Sequence, residues 1–468
     1  MSRALVEAPV SGQLEPSVPV RSSSRLLSLD VFRGITIAGM ILVNNPGDWS
    51  RKYAPLGHAD WHGWTPTDLV FPSFLFIVGV AMTFSFDKRL AEGFSRLRLF
   101  EHVVRRTIIL FGLGLILQSF PDWRLMAPYI LVIAGLAFLF RNEPPLGWPS
   151  SSSARRNKII AWTLLAAAVI WFVVNFPYFQ LPHPPATPKN APMRIPGVLQ
   201  RIAVCYLLAS VVMMWLGVRG RAAAMVILLL GYWWILKHPW NVTPPDGYPT
   251  QTRPEGILHA WIDAKLLGAH IYSELPEPEG ILSTLGGLAT CLLGVLAGTW
   301  LRSRRSDGDK LIGMFFVANL LIFAGLWMAY SVPVNKKIWT PSYVLLAGGI
   351  ALHVLAMCYW LIDVKGWRRW SIPFVVFGTN AILVFFASGI LGRILAFYSY
   401  TGQWPFLQRA GGEARAIRKM IYEDLFARHF NAGGYGPYNA SLAFALTYVL
   451  FWLILLIPLY RRRIFLKV

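Results

Sequence analysis

The sequence predicts an all-α protein, a polytopic bundle of transmembrane helices, and three observations carry that reading. Apolar runs long enough to cross a bilayer recur along the whole chain. Charged residues make up 14% of the 468 positions, against roughly 25% in soluble domains, and mean hydropathy is +0.48. The Lys and Arg behind a net charge of +21 fall in short segments between the runs, as orientation signals do, so nucleic acid is not the expected partner.

About twelve spans are expected, at 28–45, 66–86, 103–119, 125–140, 158–176, 196–217, 221–237, 281–301, 311–330, 341–362, 372–397 and 441–460. The fourth is short, and if it does not cross, the fifth fails with it and ten remain. With the N-terminus inside, 26 of the 44 Lys and Arg lie in inner segments, although the outer ones are much longer. Both termini are therefore expected in the cytoplasm, with loops 46–65, 238–280 and 398–440 outside, in a multi-pass protein of the cytoplasmic (inner) membrane. Residues 1–27 read as a polar tail without an apolar signal core, and 28–468 as one transmembrane domain.

Cys205, Cys291 and Cys358 each sit inside an apolar run, away from any metal or redox spacing. They read as small buried hydrophobes, with no disulfide and no metal expected. Residues 142–157, with Pro144-Pro145 and a serine run, read as a linker. The outer loops are rich in Pro and aromatics, as at Trp404-Pro405, and contain amphipathic stretches, Ile257–Tyr272 and Glu413–Phe430, suited to lying on membrane lipids or capping a site.

The stretch from His58 to Pro72 carries the most chemistry. His58, Asp60, Trp61, His62, Trp64 and Asp68 stand together at the mouth of the second span. Imidazole takes up and returns a proton near neutral pH, and it can carry an acyl group for a moment. Tryptophan favours the lipid–water boundary, which sets the cluster at headgroup depth. Asp68 lies further in, where a carboxylate needs a partner or a task; it either orients His58 or pairs with a cation. These residue types point to chemistry without naming a reaction, and interfacial histidines are often structural.

Other polar residues fall at membrane depth. Asp30 and Arg33 are three apart and share a helix face. Asn44 and Asn45 close the first span; an amide there either ends the helix or polarises a carbonyl oxygen. Arg201, beside Gln200, needs an anion, a carboxylate or a wet cavity, and Asn380 and Arg393 raise the same question. Asn335-Lys336-Lys337 opens the tenth span from outside. Singly each reads as structural; together they imply a polar cavity inside the bundle.

Six pieces, in order, resemble a known family. They are Ser28-Leu29-Asp30-Val31-Phe32-Arg33-Gly34; His58-Ala59 with Asp68-Leu69-Val70-Phe71-Pro72; Arg194 to Arg201; Pro278-Glu279-Gly280-Ile281-Leu282; Asn335-Lys336-Lys337-Ile338-Trp339; and Phe377-Gly378-Thr379-Asn380. The set looks like the heparan-α-glucosaminide N-acetyltransferase family and its bacterial relatives. That resemblance implies transfer of acetyl from cytosolic acetyl-CoA to the amine of a terminal glucosamine across the membrane. It gives the catalytic role to His58 and to Asn44. His62 stands where the lysosomal enzyme has asparagine, so the primary role is not assigned to it. The family's large lumenal domain has no counterpart in this sequence, and region 125–193 looks longer by one helix pair.

The reading is a transmembrane acyltransferase using acetyl-CoA, with an amino-sugar or glycan acceptor and a homodimer left open as its assembly. His58, Asn44 and Asp68 are the catalytic candidates. Arg33, Arg201 and Asn380 are the candidates for holding the donor, and Trp61, His62 and Lys336 for holding the acceptor. The rival is an amino-sugar permease without catalysis, since some relatives are described as N-acetylglucosamine-related transport proteins. Such a carrier is expected to show an inverted repeat and paired broken spans.

Overall fold

The computed structural model describes residues 26–139, 152–176, 193–271, 275–400 and 415–465, with only the backbone of 152–154 and 399–400. The expected tail, most of the 142–157 linker and Trp404-Pro405 lie outside these residues.

The described chain is helical, apart from a two-residue ladder between β1 (Ser399–Tyr400) and β2 (Arg415–Ala416). The helices are α1 (Leu27–Asn44), α2 (Val70–Ala91), α3 (Arg96–Ser119), α4 (Trp123–Leu139), α5 (Ser152–Val174), α6 (Val198–Trp215), α7 (Val218–Lys237) and α8 (Ile257–Leu267). Then come α9 (Thr284–Leu301), α10 (Asp307–Met328), α11 (Pro341–Cys358), α12 (Ile372–Thr379), α13 (Ala381–Phe397), α14 (Ile417–Ile421), α15 (Arg428–Ala432) and α16 (Gly436–Arg461). Side-chain caps set several starts: Ser95 accepts from Arg98 N, Ser306 from Asp309 N, and Thr340 from Tyr343 N ahead of Pro341.

Among the described residues, nine helices are long and apolar enough to cross a membrane, or ten if the bent pair α12–α13 counts as one span. The protein is thus a multi-pass integral membrane protein, but the expectation of twelve spans is not reproduced. Two expected spans fall outside that set. Helix α3 is long, yet it opens with Arg96, Arg98, Glu101, Arg105 and Arg106, so only its second half is apolar. Helix α4 has 17 residues, at the short end of what a crossing needs. The fifth expected span, Arg155–Val174, passes on length and hydropathy, and α4 and α5 pack against each other.

The centre of the bundle is built on close helix crossings. Helix α1 packs on α12, and a β-carbon on Gly34 would collide with the carbonyl of Phe374. Helix α2 packs on α9, where Gly294 meets the carbonyl of Phe76 in the same way. Small residues at such crossings let backbones approach in lipid, where helix association has no hydrophobic drive. Cys205, Cys291 and Cys358 are free and buried here. Helix α1 runs to Asn44 and α2 returns from Val70, so loop 45–65 lies on one face of the bundle and residues 92–95 on the other.

Candidate active site

Loop 45–65 is pinned from several sides. Gly47 N donates to Ser441 O at 3.2 Å and Asp48 N to Ser441 Oγ at 3.0 Å. Gly63 N donates to Val334 O at 2.8 Å, and Gly63 has φ +91, a turn that favours glycine. Trp61 and His62 are held by the loop before α8: the Arg253 guanidinium lies 5.0 Å from the Trp61 ring centre, Trp61 Nε1 donates to Glu255 Oε2 at 3.4 Å, and His62 Nε2 lies 3.5 Å from Glu255 Oε1. Trp61 is buried by this packing, whereas His62 stays accessible.

The loop ends in a capping box. The Asp68 carboxylate closes it, with Oδ2 accepting from Thr65 N at 3.0 Å, Thr65 Oγ1 at 3.1 Å and Ala59 N at 3.1 Å. Its other oxygen, Oδ1, lies 2.6 Å from His58 Nδ1 and 3.2 Å from Lys336 Nζ. Asp68 is 1% exposed at its side chain while His58 is 49% exposed. A buried, fully engaged carboxylate thus orients an imidazole whose outer edge is open to solvent. Asp68 does both things the sequence left open: it orients His58 and pairs with a cation. Tyr343 Oη donates to the Asp68 carbonyl, which fixes α11 against the same turn.

Lys336 reaches the dyad from the loop before α11, with Nζ 2.9 Å from His58 Nδ1. That loop is internally tied: Asn335 Oδ1 accepts from Ile338 N at 3.1 Å and Asn335 N donates to Thr340 Oγ1 at 3.0 Å. Burial draws the Lys336 amine below the usual lysine range, while Asp68 and Glu279 oppose that fall.

Beside it stands a second charged group that sequence reasoning missed. Arg194 forks onto Glu277 and Glu279. Burial would raise the Glu279 carboxyl, but Arg194, Arg201 and Lys336 hold it below its ordinary value. Arg201 is 2% exposed; it donates to Gly280 O at 3.0 Å and to Ser283 Oγ, and stacks 5.2 Å from the Trp339 ring centre. Its Nε and Nη1 have no partner among the described residues. Arg201 therefore stands with the turn 277–283, on the face that carries His58. His259 of α8 lies 2.6 Å from Tyr232 Oη, and burial with Arg201 nearby pushes its ring down to about 3. The signal for this group was in Pro278-Glu279-Gly280; its connection to Arg194 was not.

The remaining candidates lie elsewhere. Arg33 Nη1 is 3.2 Å from Asp30 Oδ1 and 3.3 Å from Gly378 O. Both residues line a cavity of about 580 Å³ that opens on the face opposite His58. Lys88, Arg89, Glu92, His102 and Arg106 line its charged end, with Glu92 3.9 Å from Lys88, and Phe74, Ile77 and Leu199 its apolar end. Arg89 Nη1 and Arg106 Nε are buried there without a hydrogen-bond partner among the described residues. Phe74 is six residues from Asp68, about 9 Å along a helix axis. Asn380 sits at the α12–α13 break and donates to Ile464 O at 3.1 Å. Asn44 is exposed at the end of α1, on the His58 face, and the hydrogen bonds of the His58 ring among the described residues go to Asp68 and Lys336 instead.

Residues 25–122, which contain His58 and Asp68, match a family model described as heparan-alpha-glucosaminide N-acetyltransferase, catalytic. The chain resembles that family. It is 27% identical over 444 residues to the heparan-alpha-glucosaminide N-acetyltransferase of Mus musculus, covering 88% of this chain and 60% of that protein. To that of Homo sapiens it is 26% identical over 469 residues, covering 88% and 59%. The chain thus spans about three fifths of the length of these curated heparan-alpha-glucosaminide N-acetyltransferases.

Proposed function

We propose that this chain is a transmembrane acyltransferase that moves an acetyl group from cytosolic acetyl-CoA to the amine of an amino-sugar acceptor outside the cytoplasmic membrane. The observation that carries the reading is the His58–Asp68 pair, 2.6 Å apart and closed on a buried carboxylate, inside the segment similar to the catalytic family model.

The residues fit the donor. A cavity with unpartnered buried arginine donors at one end and an apolar throat at the other suits a phosphate-bearing head and a thin thioester arm. Arg33, Lys88, Arg89 and Arg106 would hold the anionic end. Acetyl-CoA supplies an acetyl group already activated as a thioester. Asp68, which only accepts, keeps a proton on His58 Nδ1, and that tautomer leaves the lone pair on Nε2. In one route Nε2 takes the proton that the acceptor amine loses as the C–N bond forms and the thioester C–S bond breaks, and passes it to the departing CoA thiolate. In the other, Nε2 first displaces that thiolate, then gives the acyl group to the amine, whose proton goes to the thiolate. Both routes use the same tautomer.

One observation favours the permease. Helices α12 and α13 meet at a 71° bend, and broken helices of this kind line transport sites. The Asn380 side chain at the bend is engaged by the Ile464 carbonyl, however, and the described residues contain one such bent pair.

The test is a transfer assay with purified protein, radiolabelled acetyl-CoA and glucosamine. Labelled N-acetylglucosamine is expected, with loss of product and an unchanged melting temperature in His58→Ala. His62→Ala is expected to cost less, because His62 faces Glu255 rather than the dyad. Sugar flux into vesicles without labelled product would replace this reading with the permease.

A further inference from the structure

Lys336 holds a position that the dyad alone does not explain. Its ammonium stands 3.4 Å from Nε2 and 2.9 Å from Nδ1 of His58, and 3.2 Å from Asp68 Oδ1. Asp68 Oδ1 lies only 2.6 Å from Nδ1, and a carboxylate accepts, so Nδ1 carries the proton of that bond. A protonated Nδ1 has no lone pair to offer Lys336. Of the three N–H bonds of the ammonium, Asp68 therefore uses one, the Nε2 lone pair lies within reach of a second at 3.4 Å, and no acceptor among the described residues takes the third. A cation with a donor to spare is thus parked beside Nε2, the ring nitrogen that keeps a lone pair.

We propose that Lys336 is a catalytic residue that donates a hydrogen bond to the acyl oxygen as negative charge develops on it, while Nε2 of His58 handles the amine proton or the acyl carbon. The inference rests on the acyltransferase reading. An oxygen on a carbon that meets Nε2 falls within about 3 Å of a donor placed this way, the range in which oxyanion donors work. The amine is compact and mostly shielded from solvent, so its charge acts through a low local dielectric. Asp68 anchors it without consuming it. Glu279 is the second carboxylate near enough to act on it, and Lys337 is the neighbouring like charge. Burial lowers the lysine, with Lys337 adding to the fall and Asp68 and Glu279 opposing it, so the alkaline limb of the rate profile is expected below that of an ordinary lysine.

The experiment uses the full-length protein in detergent, the parent, Lys336→Gln and Lys336→Arg, with two readouts. The first is kinetic: kcat is expected to fall about a hundredfold in Lys336→Gln, with CoA affinity within twofold of the parent and partial recovery in Lys336→Arg. The second does not depend on turnover. A ketone analogue of acetyl-CoA, with a methylene in place of sulfur and a ¹³C-labelled carbonyl, is bound and its infrared stretch recorded. A shift to lower frequency is expected in the parent and its loss in Lys336→Gln at unchanged melting temperature. If Lys336→Gln does not fold, Lys336→Arg is expected to show a smaller shift. An equal stretch in parent and folded variant, or a fall in kcat of less than tenfold, overturns the assignment. A parent that binds the analogue with a shifted carbonyl but transfers acetyl to no amine overturns the acyltransferase reading and leaves Lys336 as a carbonyl donor.

Discussion

Asp263 accepts the backbone N–H of Ile281 at 3.0 Å through Oδ1, and its other oxygen is buried against Gly280 without a hydrogen-bond partner among the described residues. Helix α8 is thereby tied to the turn that presents Glu277 and Glu279 to Arg194. Burial raises the Asp263 carboxyl from 3.8 to about 7, with Glu277 adding to the rise and the Ile281 N–H and Arg201 opposing it. The folded protein holds this proton more firmly than the unfolded chain. Stability from Asp263 is therefore complete below its unfolded value near 3.8 and is lost as pH rises through about 7.

Asp263→Asn mimics the protonated form and keeps the oxygen that accepts from Ile281. The parent melting temperature is expected to fall between about pH 4 and pH 7, and the variant to lack that part of the slope. The difference is on the order of 4 kcal/mol at most. Parallel slopes in the two proteins would exclude Asp263 as the titrating group.

How much of this was legible in sequence depends on distance along the chain. His58 and Asp68 are ten residues apart, and their pairing was one of two options that the local pattern allowed. Lys336 is 278 residues from His58, and no spacing rule links a loop lysine to a site so far away; only the packing of α11 against α2 brings it there. Arg201 was read as needing an anion, a carboxylate or a wet cavity. It donates to a carbonyl and a hydroxyl and lies on an indole face, because α6 packs where the 277–283 turn folds over it, and it also acts on the Glu279 carboxylate of that turn. Hydropathy located most helices to within a few residues. It also marked α3 and α4 as spans; α3 begins with a charged turn and α4 is short, so neither stands out by length and apolarity together.

The side of the membrane that each face meets follows from the basic loops. A cysteine introduced at Ala59 in a background lacking Cys205, Cys291 and Cys358 is expected to react with an impermeant maleimide from outside intact cells. One at Gly93 is expected to react only after the cells are opened. Reaction at position 59 only from the cytoplasm would invert the topology, and with it the route assigned to the donor.

Donor affinity is expected to depend on Arg106. Its Nε is buried in the cavity without a partner among the described residues, and its guanidinium carbon lies 5.0 Å from the Tyr206 ring centre, so it is held in place while a donor remains free. A hydrogen bond from a charged group contributes about 1.5–3 kcal/mol, and Arg106→Gln should therefore raise the KM for acetyl-CoA about tenfold or more with little change in kcat. CoA lacking its 3′-phosphate serves as the control, because a contact to that phosphate would make parent and variant alike. A fall in kcat at constant KM would move Arg106 out of the donor site.

Asn44 and Asn45 divide two tasks at the end of α1. Asn45 Nδ2 donates to the Ile41 carbonyl at 2.9 Å, one of the acceptors a helix end leaves open, and its oxygen packs on Gly392 of α13. Asn44 is exposed and faces the same side as His58. Asn45→Ala is therefore expected to lower the melting temperature, at a cost of about 1 kcal/mol, with turnover per folded molecule unchanged. Asn44→Ala is expected to leave stability and acetyl-CoA affinity alone and to lower turnover at least about tenfold, as loss of a second donor to the developing oxyanion would. The double variant Asn44→Ala/Lys336→Gln then decides whether the two share that task. Donors to one oxygen give less than the product of the single losses, because either removal already weakens the same charge. Losses that multiply cleanly would separate Asn44 from the site of Lys336 and return it to the role of a helix end.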